Sequence, residues 1–147
     1  MKLSKYFTLE ELIASQYATR HGIDNYPRTP ELLVNLTRLA KLLDIVRDTL
    51  GKPVYVSSGY RCQALNDAIS TIGRRSTHIL GLAADIVCPQ YGTPFEVFQA
   101  IRSSGLKYDQ LILEFSRSPS GWVHIGFDTR MRQQALSYDG KTYTVVT

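Results

Sequence analysis

At 147 residues, 44% of them hydrophobic, the chain fits one domain with its own core and shows neither low-complexity bias nor an internal repeat. Its two cysteines, Cys62 and Cys88, have no CxxC partner, which argues against a disulfide framework or a thiolate zinc site and leaves free thiols as the expectation. A net charge of +4 suits an anionic polymer, but no dense Lys/Arg stripe interleaved with aromatics singles out nucleic acid, and Arg74-Arg75 is only a doublet.

The N-terminal stretch lacks the apolar run of a signal peptide, and no segment is long and apolar enough to span a membrane. Synthesis in the cytoplasm without membrane insertion is therefore expected. Thr8 caps a short helix whose first turn carries Glu10 and Glu11 and whose apolar face is Leu9, Leu12 and Ile13. His21 to Pro27 reads as a turn-rich connector, with His21 an ordinary surface histidine. Thr29-Pro30 opens the longest helix; Leu32, Leu36, Leu39, Leu43, Val46 and Leu50 form one buried stripe, and Gly51 and Pro53 end it. A strand over 54–57, a helix over about 62–69 and an irregular loop over 70–81 follow. Leu82 to Val87 reads as a strand, and Thr93-Pro94 starts a helix that ends near Gly105. Strands over 110–115 and 122–127 flank a Ser-rich loop, and Asp139-Gly140 marks a terminal hairpin. Helices followed by a mainly antiparallel sheet make an α+β domain over 1–147, with the hairpin from about residue 134 as an appendage.

Alternation along the strands points to a site. Val123, Ile125 and Phe127 share one face of their strand, and Trp122, His124 and Gly126 share the other. On the preceding strand Leu111, Leu113 and Phe115 oppose Ile112 and Glu114. With the apolar sets turned to the helices, His124 and Glu114 emerge together, and Asp85 joins them beside the small Ala83 and Gly126. Asp85 and Glu114 are carboxylates set in apolar strands, which demands a cation or hydrogen-bond donors. His78 lies seven positions before Asp85, around Gly81. Two imidazoles and a carboxylate, with a fourth position open to water, form a catalytic zinc set: His78, Asp85 and His124 as Zn²⁺ ligands. Trp122, on the same face, is either a substrate-binding wall of the cleft or plain packing.

The chain also resembles the M15 zinc peptidases, the D-alanyl-D-alanine carboxypeptidase-like group, and in particular their small phage and prophage members. The matching blocks are FTLEEL at 7–12, GIDNYP at 22–27, SSGYR at 57–61, the SxHxxGxAxD run from Ser76 to Asp85, and Trp122-Val123-His124-Ile125. The resemblance implies the fold shared by these peptidases and hedgehog signalling domains, with zinc on His78, Asp85 and His124. It implies hydrolysis of peptide bonds in the peptidoglycan stem, by a D-Ala-D-Ala carboxypeptidase or an L-Ala-D-Glu-type endopeptidase. It assigns Arg61 to a substrate carboxylate or carbonyl and Ser76 to the lining of the substrate site. Several relatives carry the catalytic acid three residues before the last histidine; that position is Gly121 here, and Glu114 on the preceding strand fills the role. The implied setting is a monomeric phage lysis enzyme or virion component that meets the cell wall after release. Because hedgehog domains share the architecture and act mainly by binding, the alternative is a non-catalytic, zinc-stabilised wall-binding or virion module.

Overall fold

The computed structural model describes residues 1–69, 76–118 and 120–147, so the Arg74-Arg75 doublet lies outside the described residues. Three helices come first: α1 (Leu9–Ile13), α2 (Gln16–Arg20) and α3 (Pro30–Leu50). Thr8 and Glu11 form a reciprocal capping box on α1. Thr29 caps α3 with Pro30 in its first turn, and Gly51 closes it in the left-handed conformation at φ 68°. The single-turn α2 was not expected. It buries only Ala18 and is held by its Ser15 cap, so it leaves no hydrophobic period to read.

Strands β1 (Tyr55–Ser58), β2 (Ala83–Val87), β3 (Gln110–Glu114), β4 (Trp122–Gly126), β5 (Gln134–Tyr138) and β6 (Tyr143–Val145) form one sheet in the order β1-β2-β4-β3-β5-β6. Helices α4 (Gln63–Ile69) and α5 (Pro94–Ser103) are interspersed. All neighbours are antiparallel except β3 and β5, which run parallel. The architecture is thus α+β with a mostly antiparallel sheet, as expected.

One sheet face is apolar. Ala84, Ile86, Leu111, Leu113, Val123 and Ile125 are buried there with Leu36, Leu39, Leu43 and Val46 of α3 and Val97, Phe98 and Ile101 of α5. The other face carries Asp85, His124 and Glu114, in the alternation anticipated. The hairpin from Gln134 does more than close on itself, since β5 pairs along the whole of β3. The return is secured by Arg132, whose backbone N–H, Nε and Nη2 all donate to the buried Asp109 carboxylate at 2.8–2.9 Å. Among the described residues, no helix is long and apolar enough to cross a membrane. Both cysteines are free thiols, as anticipated.

Candidate metal centre and active site

Asp85 and His124 lie on the two central strands, directly opposite one another in the β2–β4 register. His78 arrives from the turn that Gly81 allows at φ 70°. The three side chains offer ligand atoms that all lie within 4.8 Å of one another. They are 3%, 5% and 8% exposed for His78, Asp85 and His124, too deep for water to solvate a lone carboxylate.

Their hydrogen bonds decide which atoms face the cluster. His78 Nδ1 lies 2.7 Å from the Gly59 carbonyl, which can only accept, so Nδ1 carries the proton and Nε2 presents a lone pair. That lone pair faces Asp85 Oδ1 at 3.4 Å. His124 Nδ1 stands 3.0 Å from the same oxygen. Ligands about 2.0–2.1 Å from a tetrahedral zinc are separated by about 3.3–3.4 Å, close to both spacings. Two acceptors turned on each other need a cation or proton between them, and a divalent ion fits the donor set.

The charges follow from burial and neighbours. Burial opposes ionisation of Asp85, but the two imidazoles outweigh it and hold the carboxyl well below its usual range. Burial lowers the His78 pKa despite Asp85. For His124 burial acts downward too, yet the Asp85 hydrogen bond and charge outweigh it and raise the pKa.

The loop before α4 supports His78. A Cβ on Gly59 would collide with the Leu12 carbonyl oxygen, so only glycine lets the chain pass there. Its neighbour Tyr60 donates its N–H to that carbonyl at 2.7 Å, and Arg61 N–H donates to the His78 carbonyl at 3.2 Å. A bulge in β1, where Val56 opposes Ile86 and Ser58 opposes Asp85, bends the strand into this loop. Ser57 Oγ donates to the Asp85 carbonyl across the bulge.

Arg61 stands against the cluster. Its Nε donates to Ser58 Oγ at 3.0 Å, Nη1 to Asn66 Oδ1 and Nη2 to Asp85 Oδ2, both at 3.4 Å. Three of its five N–H groups are thus directed inward, and two have no partner among the described residues. Burial pulls its pKa down against the pull of Asp85 and Glu114. Ser76 Oγ accepts the His78 N–H at 3.2 Å, which ties it to the ligand turn.

Glu114 is half-buried on the cluster face, paired with Trp122, while its neighbour Ile112 pairs with His124. Glu114 is therefore the diagonal neighbour of His124, a spacing of about 7–8 Å between Cα atoms that side chains bridge. Its Oε2 accepts the Trp122 indole N–H at 2.9 Å. Burial, then Asp85, raises its pKa, against His124, the Trp122 bond and Arg61. A raised carboxyl beside a candidate metal is the profile of a proton-transfer group. At Gly121 a Cβ would collide with the Phe115 carbonyl oxygen, so no acid fits there.

Asn25 is a site-supporting residue that sequence reasoning passed over as part of a turn. Its side-chain amide donates to the Ile13 and Tyr60 carbonyls at 2.9 Å and accepts the Cys62 N–H at 2.7 Å, tying the end of α1 to the loop on both sides of Arg61, next to Gly59. His21 is exposed, stacks on Tyr17 and has no part in the cluster.

The family model described as Peptidase M15 matches residues 5–126, a stretch that contains the whole ligand cluster and Glu114. No curated protein matches the chain.

Proposed function

The chain belongs to the M15 peptidases, and from that premise we propose that it is a zinc-dependent hydrolase of peptide bonds in the peptidoglycan stem. The observation that carries this reading is the convergence of Glu114 with the buried His78–Asp85–His124 cluster on one sheet face. In this reading His78 Nε2, Asp85 Oδ1 and His124 Nδ1 hold Zn²⁺. Zinc there would make water a nucleophile near neutral pH and polarise the scissile carbonyl. Glu114 takes the proton from the attacking water and passes it to the leaving amine. Arg61 offers its two remaining N–H groups to a carboxylate or carbonyl of the stem peptide, in the fork geometry that suits either. Ser76 fixes the turn that presents His78. The net charge of +4 favours approach to an anionic wall.

Purified cell walls provide the test. Wild-type protein is expected to release new amino termini, and a chelator to stop it. Glu114→Gln is expected to keep one equivalent of zinc while turnover falls at least about 100-fold. Unchanged turnover in that variant removes Glu114 from the chemistry. His78→Ala is expected to lose the metal, and full zinc content would overturn the ligand assignment. Wall binding with no new termini would instead identify a binding module. Mass spectrometry of fragments from defined stem peptides distinguishes carboxypeptidase from endopeptidase.

A further inference from the structure

A carboxylate that must deliver and recover a proton works best when one oxygen is anchored and the other is presented. Glu114 has that arrangement. Oε2 is bound by the Trp122 indole, and Oε1 has no hydrogen-bond partner among the described residues. Indole Nε1–H is a donor only, so it favours the ionised carboxylate.

The indole is itself braced. Its ring lies against Phe115, centroids 5.2 Å apart and tilted by 42°. Phe115 leaves β3 in the left-handed region at φ 54°, a conformation that costs an ordinary residue roughly 1 kcal/mol or more and so needs support. The support comes from the C-terminal hairpin. Phe115 N–H donates to the Tyr138 carbonyl at 2.9 Å, and its ring meets Tyr138 edge-on at 5.8 Å. Gly140, at φ 101°, passes so close that a Cβ there would lie 2.9 Å from Phe115 Cε1. Tyr138 is stacked in turn on Tyr143 at 4.3 Å. In register, Trp122, Glu114, Tyr138 and Tyr143 form one row across β4, β3, β5 and β6. The last two strands lie beyond residue 126, where the family match ends.

We propose that Trp122 is a positioning residue that orients Glu114 for proton transfer, and that the C-terminal hairpin holds it in place through Phe115 and Tyr138. This rests on Glu114 being the base of the reaction above. It moves Trp122 from the wall of the cleft to the support of the carboxylate.

The test separates the two readings. Trp122→Phe keeps an aromatic ring and removes the N–H. It is expected to lower kcat about 10-fold with KM within about twofold, at unchanged zinc content and Tm. The acidic limb of its pH profile should move to higher pH, because the lost bond is one that lowers the Glu114 pKa. Tyr138→Leu is expected to lower kcat in the same direction with KM unchanged. A readout independent of turnover exists because Trp122 is the single tryptophan of the chain. Its fluorescence is expected to change with pH in a step that Glu114→Gln abolishes. If Trp122→Phe retains full kcat while Glu114→Gln is inactive, the positioning role is overturned and the base stands. If Tyr138→Leu alone is silent, the hairpin part falls. If Glu114→Gln remains active, the base assignment itself has failed, whatever the fluorescence shows.

Discussion

Asn25 binds nothing in the proposed reaction, yet three hydrogen bonds meet on the amide of this buried residue. Replacing it by alanine strands the Cys62 N–H and two carbonyls, which is expected to cost about 2–3 kcal/mol in denaturant unfolding. It should also weaken zinc binding, because the Gly59 carbonyl under His78 belongs to the clamped loop. Unchanged stability and zinc affinity in Asn25→Ala would deny it this role. The contrast with the candidate site residues shows what a sequence reveals. Asp85 and Glu114 stand out because a charge interrupts an apolar strand, and His124 stands out by alternation. Asn25 sits in a polar turn, and its partners lie 12, 35 and 37 residues away. No local pattern encodes such contacts. The same holds for the Trp122–Glu114 bond: alternation placed both on one face, but only the register made them direct opposites.

Apart from the short α2, strand and helix positions were legible to within a residue or two, because alternation and capping residues are local signals. The partner of β5 was not. Its parallel pairing with β3 depends on a buried carboxylate meeting a guanidinium 23 positions later, with Met131 and Gln133 turned into positive φ. The Arg132 hydrogen bond is the largest influence on Asp109 and holds its pKa below the usual carboxylate range against the effect of burial. A depressed folded-state pKa stabilises the fold above the unfolded value of about 3.9, and that contribution is lost as pH falls through the folded value. Unfolding free energy is therefore expected to fall with acid in this window, and Asp109→Asn to lack that portion of the dependence. Asp109→Ala is expected to cost roughly 2 kcal/mol or more at neutral pH. A variant as stable as wild type would show that β5 docks without the pair.

At the scale of the molecule, the candidate ligands come from separate segments that meet only in the folded chain: β2, β4 and the turn before β2. Zinc that binds the folded state alone should stabilise it by about 2.7 kcal/mol when present at 100 times its Kd. Thermal unfolding with zinc and with chelator measures this, and His78→Ala is expected to respond to neither. An equal response in that variant would place the ion elsewhere. The β3–β4 register has a further consequence. Sliding β3 by one residue would turn Glu114 into the hydrocarbon layer and bring Leu113 out beside His124. Misalignment of Glu114 is therefore also a packing error that the core rejects. The chain needs no separate device to check how Glu114 is set against the cluster, since folding performs the proofreading.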